Sequence, residues 1–532
     1  MFNIYNKRKE ILGKEKGIRC RRGSKNIVFF YPNSYSIGIS TLALHRIVEI
    51  TNEFGEIGFI RYFLEEHQGE KNIFPLDDGI DISDVTVIAF FLSYENDYFN
   101  VIEALRGMGI SPLAKERKGF PMVIAGGVAI TNNPEPLAEI FDAMFIGEAE
   151  EAFRNFLKVI LSENDKECVL DKLSNIDSIY LPDKVNIDFD KEGYIKSIKG
   201  RKAKRDIYNN FQKDFAKSVF FTDLSEFGET YLIELTRGCP YNCRFCISRT
   251  IYSPLRFADF EKVKEIIKEK KDIKKFGLLG ASVSCHPYIK EIMELLLSEG
   301  KEFSLSSLRA DLLDDEFICL IRKGGTKTIT IAPEAGSENL RKLINKGINL
   351  EHIERAINLS LKNDMENLKL YFMIGLPFET WDDINDIVEV AGLIRHLENK
   401  NQKRFKKVSF SISTFVPKPF TPLQWASFSP VKETNEKLKV LRKKLTAKGI
   451  NVIYDLPKWA RIQAILSRGD RRITPFLFKG KDEKSFTTVN VNPSFYAERE
   501  RKVDEIFSWE VIEAGVEKEI LLSQWLKYRK EA

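Results

Sequence analysis

Apolar and polar positions fall into alternating strand-like and helix-like blocks along this chain. Asn26–Tyr31 (NIVFFY) is a short apolar run, and Pro32-Asn33-Ser34 breaks it. Ile39–Val48 then repeats apolar residues at helical spacing. Further strands are predicted at Gly58–Tyr62, Val85–Phe91 (VTVIAFF), Pro121–Ala125 and Ala143–Ile146, with a helix over Asp97–Met108. The last two strands run into Gly126-Gly127 and into Gly147 before the acidic helix start at Glu148. Strands alternating with helices predict a parallel sheet covered on both faces.

A second alternation begins near residue 227. Strands are predicted at Tyr231–Leu235, Phe276–Leu279, Phe303–Leu305, Thr328–Ala332, Leu368–Ile374 and Val408–Thr414. Helical stretches such as Phe260–Lys270, Tyr288–Leu297 and Ile353–Leu361 separate them. Four parts follow: an α/β domain over 1–164, a connector over 165–226, a second α/β domain over 227–430, and a charged, mostly helical region over 431–532. The connector carries a predicted hairpin over Val185–Ile198, turning at Asp190-Lys191-Glu192-Gly193, and the basic run Arg201–Arg205.

Composition narrows the class. With 532 residues and 43% hydrophobic content, the chain can fill several cores. No apolar run approaches the roughly 18 residues that a membrane span needs. The start, MFNIYNKRKE, lacks a signal-peptide core, so a cytoplasmic protein is expected. Residues 1–25 hold nine basic and two acidic residues, a net of +7 in a chain of net +5. Such an arm is expected as a solvated terminal segment, with contact to RNA or an anionic substrate as the functional alternative.

The densest chemistry lies in ELTRGCPYNCRFC, residues 234–246. Cys239, Cys243 and Cys246 form Cys-x3-Cys-x2-Cys just after a predicted strand. Three thiolates this close suit three corners of a four-iron cluster and leave one iron open to a small molecule. A structural zinc site wants a fourth ligand, and none is near in sequence. Disulfides do not suit a long chain with no secretory signal. The spacing resembles that of the radical S-adenosylmethionine (radical SAM) superfamily, where Phe245 takes the aromatic position before the third cysteine. The resemblance implies a partial (β/α)6 barrel over 227–430, a 4Fe-4S cluster on the three cysteines, and SAM on the open iron.

The strand ends of that barrel supply candidate SAM contacts. Gly280 and Ser282, in GLLGASVSCHP, allow close backbone approach to the methionyl end. Ser307 and Arg309 follow the third strand, and an arginine fork suits a carboxylate. An ion pair between Arg309 and Asp311 is the alternative for that arginine. Glu334 is expected to hold ribose hydroxyls or the ammonium group, and Lys346 the carboxylate. Ile374 and Gly375 are placed against adenine, and Lys418 and Gln424 on a substrate-facing lip. Cys285, beside His286, is a catalytic candidate as hydrogen-atom donor, thiyl former or extra cluster ligand; its alternative is a thiol packed as a small hydrophobe.

AGGVAITNNPEP (125–136) and FIGEAEE (145–151) resemble the cobalamin-binding domain that precedes many radical SAM barrels. A Rossmann-like parallel sheet is implied, with cobalamin beyond its strand C-termini. The candidate contacts are Pro32, Asn33, Ser34, Tyr35, Ser93, Tyr94, Gly126, Gly127, Thr131, Asn132, Asn133, Gly147 and Glu148. None of the five histidines (His45, His67, His286, His352, His396) sits in an Asp-x-His-x-x-Gly loop, so cobalt takes no histidine in this reading. APEAGSENLR, KLYFMIGLPFET, FVPKPFTPLQW, SYENDYFNVI and SRGDRR extend the resemblance over the whole chain. It implies an enzyme that cleaves SAM to a 5′-deoxyadenosyl radical and methylates an unactivated carbon, fed by a low-potential electron donor such as ferredoxin or flavodoxin. Three alternatives remain open: cobalamin-dependent cyclisation or rearrangement, a radical SAM enzyme without cobalamin acting on RNA or protein, and a non-catalytic iron–sulfur sensor. The substrate is not legible in these motifs.

Overall fold

The structure is a computed structural model. It describes residues 4–67, 69–77, 79–306, 308–480, 484–488 and 491–532. The first sheet has seven strands: β1 Lys25–Tyr31, β2 Ile57–His67, β3 Glu70–Pro75, β4 Val87–Phe91, β5 Met122–Gly126, β6 Ala143–Phe145 and β7 Ile179–Tyr180. Their order is β3-β2-β1-β4-β5-β6-β7. The five inner strands are parallel, and β3 and β7 are antiparallel edges. The chain places β2 on one side of β1 and β4 on the other, which opens a crevice beyond the strand C-termini.

Alternation in β1 explains why that strand is buried from Asn26 to Tyr31. Val28 and Phe30 enter a core shared with the C-terminal region. Ile27, Phe29 and Tyr31 enter the opposite core with Phe153 and Phe156 of helix Glu150–Ser162. Side chains at successive positions point to opposite faces, so a sheet covered twice needs an unbroken apolar run. Each fully buried phenylalanine contributes about 1.5–3 kcal/mol.

The second α/β domain is an arc rather than a closed barrel. One sheet joins β8 Tyr231–Arg237, β9 Arg256–Phe257, β10 Lys275–Gly280 and β11 Glu302–Leu305 in the order β9-β8-β10-β11. The other runs β12 Thr328–Glu334, β13 Asn367–Ile374, β14 Lys407–Thr414 and β15 Asn451–Tyr454. Among the described residues, one parallel bridge, Leu308 to Ile331, links the halves. The six expected strands are present, and β15 adds a seventh parallel strand from the region expected to be helical. Its residues are alternately exposed and half-buried, the weak signal of an edge strand.

Other expectations need correction. The basic arm is not a loose solvated segment. Ile4–Lys14 is a helix with Ile11 buried, and Lys7 pairs with Glu65 at 2.6 Å. Just behind it, buried Arg61 forks onto Glu15 and Asp77, which fixes the arm to the first sheet. The connector is also more structured than expected, since β7 completes the first sheet from within it. Its hairpin forms as Asn186–Phe189 against Ile195–Lys199. No helix among the described residues is long and apolar enough to cross a membrane.

Candidate active site

The three cysteines leave the C-terminal end of β8, a strand buried along nearly all its length. Gly238 makes the turn at φ +93, and a Cβ there would stand 2.7 Å from the Tyr252 carbonyl oxygen. Only glycine fits that turn. Cys239 and Cys246 are half-buried, Cys243 is buried, and all three are free thiols. Burial pushes Cys243 up to about 11, while the Lys346 ammonium opposes that shift. Burial raises Cys239 as well. Among the described residues, no three His, Cys, Asp or Glu side chains stand close enough to share a single metal ion.

Cationic groups gather beside this loop. Lys346 Nζ lies 2.9 Å from the Glu334 carboxylate and 6.0 Å from the centre of the Phe245 ring. Glu334 ends β12 in the left-handed region at φ 73, where the ladder to β13 shifts register. A non-glycine residue held in that conformation is a strained position of the kind found at ligand clamps. The Arg309 guanidinium lies 3.5 Å from the centre of the Tyr241 ring and forks onto Asp311 at 3.0 and 3.1 Å. It also donates to the Lys346 carbonyl at 2.8 Å. Arg309, Glu334, Lys346 and Phe245 therefore form one group with the cluster loop, and the Arg309–Asp311 pair is present within it.

Other named residues are placed differently. Ser282 Oγ lies 2.9 Å from Cys285 Sγ, which lies 3.7 Å from the Tyr241 hydroxyl, so Cys285 borders the cluster loop. Ile374 is buried, and the Gly375 N–H donates to Glu379 at 2.8 Å. Ser307 lies outside the described residues. Lys418 pairs with Glu95, and Gln424 is buried, accepting from Trp509 Nε1 at 3.0 Å. Gln424 thus braces the core; it is not on the substrate-facing lip expected for it.

A cavity of about 520 Å³ lies where the ends of β4, β5 and β6 face the ends of β8 and β10. Ser93, Gly126, Gly127, Thr131, Gly147 and Glu148 line it from the first sheet. Gly280 lines it from the arc, adjoining Gly238 of the cysteine loop. Pro32, Asn33, Ser34, Tyr35, Tyr94, Asn132 and Asn133 do not line it. Tyr35 instead bonds buried Glu15 at 2.7 Å. Asn133 donates to the Ser467 and Gly469 carbonyls, tying the NNPEP loop to SRGDRR. None of the lining residues is a histidine.

Sequence reading missed the ionic wall of this cavity. Arg237 contacts Glu148, Glu150 and Glu234 at 2.8–2.9 Å, and Arg256 adds a fork onto Glu148. Burial would raise the Glu148 carboxyl, but the hydrogen bonds from Arg256 and the charge of Arg237 outweigh it and hold it below the ordinary range. The signal in the sequence was a pair of charged residues, Glu234 and Arg237, three positions apart in a strand that is otherwise mostly apolar.

Comparison with known proteins fits this geometry. Residues 52–182 match the family of radical SAM proteins, N-terminal, and residues 233–391 match the radical SAM superfamily. An uncharacterized protein of Methanocaldococcus jannaschii is 33% identical over 87% of this chain and 93% of its own. An anaerobic magnesium-protoporphyrin IX monomethyl ester cyclase of Rubrivivax gelatinosus is 28% identical over 29% of each chain. A bacteriochlorophyllide d C-8(2)-methyltransferase of Chlorobaculum tepidum is 24% identical over 56% of this chain and 64% of its own.

Proposed function

Because the chain belongs to the radical SAM superfamily, whose members carry a 4Fe-4S cluster and SAM, we propose that this enzyme is a cobalamin-dependent methylase of an unactivated carbon. The observation that carries this reading is the cavity between the two sets of strand ends, with the cysteine loop on its rim. When bound, the cluster and SAM would supply the radical chemistry for hydrogen-atom abstraction from carbon, and methylcobalamin would supply the methyl group. The chain's own residues then bind and exclude. In this reading Lys346 and Arg309 would hold the carboxylate of SAM, and Glu334 its ammonium or ribose groups. The first sheet is Rossmann-like in this reading, Gly126 and Gly127 would hold cobalamin, and no lining residue of the cavity is a histidine. The Glu148–Arg237–Arg256 clasp closes the junction and keeps water from the radical.

Ring closure is the second reading, favoured by the relative named as a cyclase. The electron comes from a low-potential ferredoxin or flavodoxin in either case. Anaerobic reconstitution with hydroxocobalamin tests the second cofactor. Corrinoid absorbance is expected to co-elute with the protein on gel filtration at about one per chain. Its absence from a protein that still cleaves SAM would remove cobalamin and leave a radical SAM enzyme of another kind.

A further inference from the structure

The helix Lys518–Glu531 packs against the cysteine loop, and none of its residues lines the cavity. Arg244, the residue after Cys243, is buried and pairs with Glu531 at 2.9 Å. Its guanidinium also lies 5.7 Å from the centre of the Tyr528 ring. Tyr528 is buried, and its hydroxyl donates to the Pro377 carbonyl at 2.7 Å. Phe378 comes next in the chain, with its ring centre 5.9 Å from that of Tyr528. Phe378, Tyr528 and Arg244 thus form a run of contacts from the surface to the neighbour of Cys243.

The outer end of this run is strained. Phe378 is 51% exposed and sits in the left-handed region at φ 63. A bulky side chain resists that conformation, and an exposed ring gains no burial to offset it. Trp381, three residues on, is 46% exposed. Two exposed rings in one short loop mark an interaction patch. Basic groups border it, since Lys527 and Arg529 flank Tyr528 in the chain. The stretch Lys527–Glu531 carries three basic residues and one acidic, a net +2. Arg529 is held by Glu500 at 3.2 Å, whereas Lys530 has no ion pair among the described residues.

We propose that this patch, Phe378 and Trp381 bordered by Lys527 and Lys530, is where a flavodoxin docks to reduce the cluster. An apolar centre with a cationic border complements the exposed edge of a flavin ring set among acidic side chains. An electron leaves the reduced flavin for the oxidised cluster; no bond forms or breaks and no proton moves. None of the four patch residues lines the cavity, so the carrier and a substrate can be bound together. This rests on reading Cys243 as a cluster ligand. In this role Phe378 is a docking residue and touches no reacting atom.

Anaerobic stopped-flow bleaching of the cluster's visible absorbance tests the claim on the reconstituted full-length enzyme, with two reductants: reduced flavodoxin and titanium(III) citrate. Phe378→Gly suits the left-handed backbone and is expected to keep the melting temperature. It is expected to slow bleaching by flavodoxin about tenfold and leave bleaching by titanium(III) citrate unchanged. Lys527→Glu combined with Lys530→Glu is expected to do the same, and added salt to slow the natural chain more than this variant. The proposal is overturned by a flavodoxin rate within about twofold of the natural chain in either variant, or by an equal loss with titanium(III) citrate. A natural chain bleached by titanium(III) citrate and not by flavodoxin rejects the docking surface alone. A chain that takes up no iron–sulfur cluster rejects the radical SAM reading itself, and this surface with it.

Discussion

Glu148→Ala removes the carboxylate on which the first sheet and the arc converge. Its side chain is 4% exposed and accepts from Arg237 at 2.9 Å, Arg256 at 2.8 Å and the Tyr208 N–H at 2.9 Å. Arg237 keeps Glu234 and Glu150 after the change. Arg256 keeps only carbonyl partners, so most of the loss falls on one guanidinium that is 14% exposed on its side chain. Breaking a buried pair from one side costs about 3–5 kcal/mol, and the shared partners place this case near the lower end. About 3 kcal/mol corresponds to roughly 150-fold in an opening equilibrium. Hydrogen exchange reads that opening at the Asp206 amide, which donates to the Ile146 carbonyl and ties the connector to the first sheet beside Glu148. The variant is expected to exchange there roughly 150-fold faster than the natural chain at pH 7.

The same residue fixes the pH dependence. The Glu148 carboxyl is held below its ordinary value of 4.5, so its contribution is fully present above that value and is lost as pH falls through the lower, folded one. The ratio between variant and natural chain should be flat above about pH 5 and shrink below it. A ratio under about threefold at pH 7, or one that persists unchanged into strong acid, would refute the clasp as the bond between the two halves.

Two further outcomes concern the cofactors. Cys243→Ala should lose iron, sulfide and 5′-deoxyadenosine formation together, measured after anaerobic reconstitution; retention of both cluster and cleavage would show the three-cysteine assignment to be wrong. Gly280→Ala places a Cβ 2.1 Å from Thr236 Oγ1 and 2.5 Å from its carbonyl oxygen, at φ +155. The strand end must move, and SAM binding by equilibrium dialysis should weaken about tenfold or more, with unchanged affinity and melting temperature counting against that placement.

Local signals were legible and long-range pairings were not. The cysteine spacing and the apolar runs of β1, β4 and β8 depend on near neighbours, and they predicted both the α/β class and the position of the thiols. Arg61 interrupts the apolar pattern of β2 and reads as a surface residue, yet it is buried because Glu15 and Asp77 reach it from outside the strand. Asn133 sits in a segment that resembles a cofactor loop. Its amide is nevertheless taken by carbonyls at Ser467 and Gly469, more than three hundred positions away. Arg471 likewise forks onto Glu135 at 2.9 Å from the other end of the chain. The two motifs that looked like separate hallmarks are halves of one clasp.

That distinction bears on how the site works. A motif can recur because it touches a ligand or because it holds the walls that do. Asn133, Glu135 and Arg471 belong to the second kind, while Gly126, Gly127 and Gly280 present bare backbone to the cavity. Radical chemistry asks little of side chains as acids or bases, because the cofactors carry it. It asks that water, stray hydrogen donors and mobile charges be kept out. A wall whose arginines and glutamates satisfy one another does that while leaving the interior uncharged, so the buried ion pairs of this junction act less as a recognition surface than as a seal.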